Sequence, residues 1–182
     1  MICFDLDKSV NFDSLHSGDI IRLNGKIITG RDAAHGRLVK LLEAEQELPL
    51  VIKDRVIYYT GPCPPLAGQV IGACGPTTSG RMDVYTPLLM RAGLKGMIGK
   101  GPRSTLVKEA IVLHQGVYFA ATGGAGSLLA SCVKSAQIIA FADLGAEAIF
   151  ELTVEDFPLI VAIDSQGNDL YASEPSKWIN NV

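Results

Sequence analysis

The sequence predicts an α/β fold in which turns between strands and helices meet at one edge of a mixed sheet. Short apolar runs of strand length, such as 96–99 and 117–121, are each followed by a glycine-rich turn and a stretch with helical periodicity. The chain contains 19 glycines, many of them at the ends of apolar runs, which indicates tight turns between short elements. Apolar residues make up 48% of the chain and charged residues 19%, so a substantial core can form.

The bulk properties favour one domain over residues 1–182 and exclude several classes of function. A net charge of −3 and a pI near 5.6 give no basic surface for nucleic acid. No apolar run approaches the roughly 20 residues that a membrane helix needs, so no membrane partner is expected. The first residues include Asp5 and Asp7, where a signal peptide carries bases. We therefore expect a cytoplasmic protein.

The cysteines give little support for a metal site formed by this chain alone. Cys3, Cys63, Cys74 and Cys132 form no Cys-x-x-Cys pair, and the three histidines are scattered. In a reducing compartment we expect free, mostly buried thiols and no metal ligands on this chain.

The first half of the chain predicts a hairpin, a helix and two strands. Residues 1–18 have no clear period. Asn24-Gly25 between the runs 20–23 and 26–29 predicts a hairpin, because a type I′ turn needs positive φ at both positions. Apolar residues recur at helical spacing from Ala33 to Leu42, with Asp32 or Thr29 as a possible cap.

The strands that follow lead into the second half. The runs 55–60 and 69–74 predict strands, and 83–91 predicts a helix that ends near Gly93. Further on, we expect a strand at 96–99, a helix at 104–114 and a strand at 117–121. A glycine turn then opens another helix, and strands are predicted at 148–154 and 159–164, before a turn at 165–168.

The central stretch is Gly75-Pro76-Thr77-Thr78-Ser79-Gly80-Arg81-Met82-Asp83, in the turn between a predicted strand and a predicted helix. Backbone N–H groups at a helix start have no partner within the helix and favour an anion. The guanidinium of Arg81 adds a fork of donors that suits a carboxylate. Two interpretations stay open on these residues: an anion site, or a hydroxyl that only caps the helix.

Two further cations lie at junctions of predicted elements. Lys100 stands between two glycines, which lets the backbone approach a ligand, although an exposed surface lysine has the same pattern. The surrounding sequence is not a P-loop, because the glycine spacing differs and Gly101 follows the lysine. Arg31 precedes the first helix and is either a surface arginine or a second donor fork; His35, one turn later, is expected to be structural. The turn 123–127 lacks the third glycine of a dinucleotide fingerprint.

Four segments together carry a family resemblance. They are Thr29 to His35, Tyr59-Thr60-Gly61-Pro62, the central stretch, and Gly96 to Ser104. In these segments the chain resembles the β subunit of two-subunit, iron–sulfur-dependent fumarate hydratases and L-tartrate dehydratases, the class I fumarases. The same sequence is the C-terminal part of the single-chain enzymes.

The resemblance implies a swivelling β/β/α domain and reversible addition of water to a C4 dicarboxylate, fumarate to L-malate. It implies a [4Fe-4S] cluster ligated by a partner α subunit rather than by this chain, in an α2β2 assembly. It also implies that Thr77 handles the proton at C3, beside a carboxylate of the partner, and that Arg31, Thr77, Arg81 and Lys100 bind the substrate. This chemistry suits the residues, because fixed positive charge stabilises the aci-carboxylate that develops when the C3 proton leaves.

Three alternatives remain at the level of the sequence. The first is an L-tartrate dehydratase β subunit, because both substrates are C4 dicarboxylates. The second is a non-catalytic docking module that closes over a partner's site, although such a module would not need all four polar residues. The third is a nucleotide-binding protein, which the incomplete glycine motifs disfavour.

Overall fold

The structure is a computed structural model that describes residues 1–179. It confirms the α/β class, with helices around one mixed sheet in the order β1-β2-β3-β4-β5-β7-β6. The strands are β1 (Ile2–Asp5), β2 (Ile20–Thr29), β3 (Val56–Tyr58), β4 (Gly96–Gly99), β5 (Val117–Ala120), β6 (Val133–Ala140) and β7 (Ile149–Ile163). The α-helices are α1 (Asp32–Glu43), α2 (Thr86–Arg91), α3 (Thr105–His114), α4 (Gly126–Ser131) and α5 (Leu170–Ile179); Ser79–Met82 and Ala142–Glu147 are 3-10 helices.

Four neighbouring strands run parallel, and this decides where their connections meet. β2 pairs with β3, β3 with β4 and β4 with β5, all in parallel. Their carboxyl ends therefore lie at one edge of the sheet, where binding residues of open α/β sheets gather. The long strand β7 pairs antiparallel with both β2 and β5, so the parallel strands and β7 form a closed ring of neighbours.

Apolar side chains fill both faces of the parallel strands, because successive residues of a strand point to opposite faces. Tyr58 and Ile98 belong to one buried cluster. Their neighbours Ile57 and Met97 belong to a second cluster, which also includes the apolar faces of α1, α2 and α3. These helices are thus fixed against one face of the sheet, and their N-terminal ends lie near its carboxyl edge.

The hairpin predicted at Asn24-Gly25 is wrong. β2 continues through both residues as one strand, with a bulge between Leu23 and Gly25, and Gly25 has φ +103°. The side chain of Asn24 accepts a hydrogen bond from the backbone N–H of Asp156 in β7, at 3.0 Å. Pairing with a strand far along the chain thus overrides the local turn preference.

Other elements also differ from the prediction. The segment 69–74 is a loop rather than a strand; its N–H groups bond to other loops, as from Gly72 to the carbonyl of Cys63 at 3.1 Å. The two late strands are one strand, β7, while β1 and the half-exposed β6 were not predicted. The helices α1 and α3 and the strands β3, β4 and β5 are confirmed within a few residues.

None of the helices in residues 1–179 combines the length and apolarity that a membrane-spanning helix requires.

Candidate active site

The candidate residues follow the carboxyl ends of the parallel strands. Arg31 lies two residues after β2, and Lys100 directly follows β4. Thr77 does not follow a strand, but its N–H donates to the carbonyl of Tyr59, immediately after β3, at 2.8 Å. The topology therefore brings three segments that are far apart in sequence to one edge of the sheet.

Backbone hydrogen bonds hold the Thr77 segment directly against Lys100. The N–H of Lys100 donates to the carbonyl of Thr77 at 3.3 Å, and the N–H of Ser79 donates to the carbonyl of Lys100 at 2.9 Å. The hydroxyl of Thr60 also donates to the carbonyl of Gly75 at 2.9 Å. Thr77 and Lys100 are therefore neighbours whose relative position is fixed by the main chain.

Arg81 contacts Thr77 and an acidic residue of α1 at the same time. Its Nη2 donates to Thr77 Oγ1 at 2.7 Å and lies 3.3 Å from Oδ2 of Asp32. The side chains of Arg81 and Asp32 are 48% and 40% exposed, so both are accessible from the edge. An arginine that donates to a hydroxyl stabilises negative charge on that oxygen.

The helix expected at 83–91 begins later than predicted, and the hydroxyls of the turn before it do not cap it. Arg81 lies on the 3-10 helix Ser79–Met82, and α2 begins only at Thr86. Thr78 occupies the N-cap position of the 3-10 helix without a side-chain capping bond. The helix-cap interpretation of Thr77, Thr78 and Ser79 is therefore wrong, and the Thr77 hydroxyl is left facing Arg81.

Arg31 forms an ion pair with an acidic residue and lies against a glycine, which has no side chain. Its Nη2 lies 3.6 Å from Oε1 of Glu147, whose Oε2 accepts a hydrogen bond from the N–H of Ala33 at 3.1 Å. Glu147 thus serves the first turn of α1, where Asp32 or Thr29 was expected as a cap; no side-chain cap is found at the Arg31 N-cap position. A Cβ on Gly61 would lie 2.9 Å from Nη1 of Arg31 and 3.1 Å from the carbonyl oxygen of Ala146, so a side chain here would displace the end of this arginine.

His35 is a buried structural residue that contacts the main chain of Arg31. Its Nδ1–H donates to the carbonyl of Arg31 at 2.8 Å, and its ring packs edge-on against Tyr59 at 5.3 Å between centroids. Burial lowers the pKa of His35 to about 4, although the hydrogen bond to the Arg31 carbonyl opposes this shift. The ring is therefore neutral near pH 7, and its Nε2 is buried and has no hydrogen-bond partner in the part of the chain that the structure describes.

A buried charged pair behind this edge was not found from the sequence. The side chain of Arg103 has no exposed area, and its Nε donates to Oδ1 of Asp83 at 2.7 Å. Nη2 of Arg103 donates to the hydroxyl of Thr86 at 2.9 Å. The only available signal was the placement of an acid two residues after Arg81 and an arginine three residues after Lys100.

Comparison with known proteins now identifies the family. A family model described as the fumarase C-terminus matches residues 4–174, which is most of the chain. The chain belongs to this family.

Individual proteins that are similar to this chain agree with the assignment to the fumarase C-terminus family. The chain is 43% identical over 163 residues to the anaerobic class I fumarate hydratase of Escherichia coli (strain K12), covering 88% of this chain and 30% of that protein. It is 38% identical over 157 residues to fumarate hydratase 2 of Leishmania major, covering 85% of this chain and 28% of that protein. It is 40% identical over 163 residues to the "Putative L(+)-tartrate dehydratase subunit beta" of Methanocaldococcus jannaschii, covering 86% of this chain and 84% of that protein. The chain therefore spans under a third of these fumarate hydratases but most of the tartrate dehydratase relative.

The described part of the chain contains no set of side chains placed to ligate an iron–sulfur cluster. Among residues 1–179 with described side chains, no three His, Cys, Asp or Glu side chains are grouped to hold a metal. Cys3 and Cys63 are exposed, whereas Cys74 is buried and its pKa is raised by burial to about 11, which opposes thiolate formation. A cluster needs thiolate ligands close together, so the residues present do not fit one.

Proposed function

We propose that this chain is the β-type component of a hydro-lyase that adds water reversibly to a C4 dicarboxylate, fumarate to L-malate. The observation that carries the proposal is the contact of Arg81 with the Thr77 hydroxyl at 2.7 Å, at an edge that also carries Lys100 and Arg31. Membership of a family whose named relatives are fumarate hydratases and a tartrate dehydratase subunit supports the same class of reaction.

Three cations suit a substrate with two carboxylates. Among the described residues, Arg81 makes its polar side-chain contacts through Nη2, so the rest of its guanidinium is available for a substrate carboxylate. Lys100 is exposed and held by two backbone bonds. Arg31 is oriented by Glu147, so little further ordering is needed when a carboxylate binds.

In this proposal Thr77 handles the C3 proton. The proton moves to the Thr77 oxygen, and the electron pair of the C–H bond moves into the adjacent carboxylate, where fixed cations stabilise the charge. A neutral hydroxyl is a weak base and requires activation. The donated hydrogen bond from Arg81 supplies part of that activation, because it stabilises the deprotonated oxygen; a carboxylate of the partner would accept the hydroxyl proton beforehand.

The role of Thr77 as base is separable from a role in orienting substrate. We expect Thr77→Val to abolish exchange of the C3 hydrogen of L-malate with D2O, while Thr77→Ser retains measurable exchange. Thr77→Val with exchange near the wild-type rate and weaker malate binding would assign Thr77 to positioning only.

A partner α subunit is proposed to complete the site, in an α2β2 assembly, and to hold the [4Fe-4S] cluster. The word "beta" in the name of the tartrate dehydratase relative supports a second subunit. The fumarate hydratase relatives, of which the matched part is 30% and 28%, support an additional domain that supplies the same parts. The misfit of the cysteines described above agrees with a cluster on that partner.

The test is co-expression of the chain with a candidate α subunit under anaerobic conditions, followed by assays with fumarate, L-malate and L-tartrate. The chain alone should be inactive and the complex active. Turnover of tartrate but not of malate would favour the second candidate, an L-tartrate dehydratase β subunit, which the 84% coverage of that relative supports. An active complex that tolerates alanine at Arg81 and at Lys100 would instead identify a docking module.

A further inference from the structure

Arg103 is a buried cation behind the candidate site, and it is enclosed by groups from several elements. Besides its bonds to Asp83 and Thr86, its guanidinium lies over the rings of Tyr118 and Tyr59, at 4.9 and 5.3 Å from the ring centroids. Its Nη1 is buried without a hydrogen-bond partner among the described residues. A fully buried arginine is costly, and an ion pair with a single acid does not by itself make it a stabilising feature.

The Arg103–Asp83 pair joins the two segments that carry the candidate binding residues. Asp83 lies two residues after Arg81, and Arg103 lies three residues after Lys100. The second oxygen of the Asp83 carboxylate accepts a hydrogen bond from the N–H of Ser104 at 2.6 Å. One carboxylate therefore fixes both the side chain and the following main chain of the Lys100 loop to the Arg81 segment.

Tyr118 makes a second connection between the same two segments. Its hydroxyl donates to the carbonyl of Gly101 at 2.8 Å and lies 2.9 Å from the hydroxyl of Ser79, which can donate to it in turn. The face of the same ring contacts Arg103. The two connections therefore meet at one buried guanidinium and are expected to act together.

We propose that Arg103 is a positioning residue that fixes Lys100 relative to Thr77 and Arg81. The planar guanidinium suits this task, because its donors reach Asp83 and Thr86 at once while its faces stack on two tyrosines. Without it, the Asp83 carboxylate loses its buried partner, and the two segments keep only the backbone bonds at Lys100 and the contacts of the Tyr118 hydroxyl. The effect on turnover rests on the function proposed above, whereas the effect on the order of the two segments does not.

The experiment uses the complex of the chain with its partner and three variants. Arg103→Met removes the charge and the donors and keeps an unbranched apolar stem, and Arg103→Lys keeps the charge without the fork. Ile111→Ala is the control, because Ile111 is a fully buried core residue of α3, the helix that follows Arg103, and its truncation destabilises the fold without removing a polar contact of the site. The readouts are amide hydrogen exchange in segments 76–83 and 97–104, and kcat and KM for fumarate and L-malate.

We expect Arg103→Met to speed exchange in both segments together and to lower kcat/KM by about tenfold or more, with Arg103→Lys in between. Ile111→Ala, at a comparable loss in melting temperature, should keep kcat/KM within about twofold of wild type and leave exchange in these segments unchanged. The proposal is overturned if Arg103→Met matches the control in kcat/KM, or if only one of the two segments exchanges faster.

Two further outcomes keep the proposals separate. If Arg103→Met does not fold, Arg103→Lys tests the same connection by the same readouts, and Tyr118→Phe, which loses only the hydroxyl that bonds Gly101 and Ser79, tests the second connection. If the wild-type complex shows no hydro-lyase activity, the proposed function fails, while faster exchange of both segments in the variants still supports the role of Arg103.

Discussion

Arg81→Ala should reduce activity strongly while leaving the fold almost intact. The Arg81 side chain is 48% exposed, and its ion pair with Asp32 spans 3.3 Å at the surface. Pairs of that kind contribute about 0–1 kcal/mol to stability, so the unfolding midpoint should hardly change. In contrast, the loss of a charged donor aimed at charge that develops in the transition state costs about 2.7–4 kcal/mol, or roughly 10²–10³ in kcat.

The assay is the loss of the ultraviolet absorbance of the fumarate double bond in the reconstituted complex. Arg22→Ala is a matched control, because Arg22 is also 48% exposed and pairs with an exposed acid, Asp156, at 3.6 Å, but it lies on β2 away from the carboxyl edge. Arg22→Ala should have activity near that of wild type. If Arg81→Ala keeps more than about half of the wild-type kcat/KM, the assignment of Arg81 to substrate binding and to activation of Thr77 is refuted.

Two other predictions address the support of Arg31. Gly61→Ala places a Cβ 2.9 Å from Nη1 of Arg31, so that side chain must move, and we expect KM for the dicarboxylate to rise by about tenfold in the complex; an unchanged KM would remove Arg31 from the binding site. His35 has a pKa lowered to about 4 by burial, so between about pH 6.5 and 4 the unfolded chain binds a proton that the folded chain does not. Stability should therefore fall as the pH falls through this window, by up to about 1.4 kcal/mol per pH unit, and urea unfolding of His35→Phe should show a smaller pH dependence.

Local patterns predicted the parts of the fold whose structure is set by local chemistry. The helix α3 and the strands β4 and β5 have clear periods and glycine boundaries, and they were found within a few residues. The hairpin at Asn24-Gly25 failed because the turn signal competes with pairing to β7, about 130 residues further on. The prediction of a strand at 69–74 failed because the backbone N–H groups of this run bond to a loop and to the start of α4 rather than to a strand, and hydrophobicity does not distinguish the two cases.

The candidate site likewise contains residues that the sequence indicated and residues that only the three-dimensional packing brings to it. Residue type and position marked Arg31, Arg81 and Lys100 as possible donors and left surface roles open, and the family resemblance selected these three residues together with Thr77. The structure places their segments at one edge of the sheet. The groups that orient them could not be found in this way. Glu147 lies in a segment with no motif, and Arg103 lies within the Gly96 to Ser104 segment without a signal that marks it out. Their roles depend on three-dimensional packing.

The exposure of the candidate residues bears on the partner proposed above. Lys100 is exposed, and Arg81 and Asp32 are both more than a third exposed. Water screens cations in such positions, so they stabilise a developing carboxylate charge far less than the same groups in an enclosed site. Glu147 and Asp32 pair with two of these cations and backbone bonds fix the main chain of Lys100, and so under the proposed function the missing contribution is the exclusion of water. Under the proposed function, a partner surface closing over this edge supplies that exclusion, and a chain that orders its cations beforehand loses little entropy when the two meet.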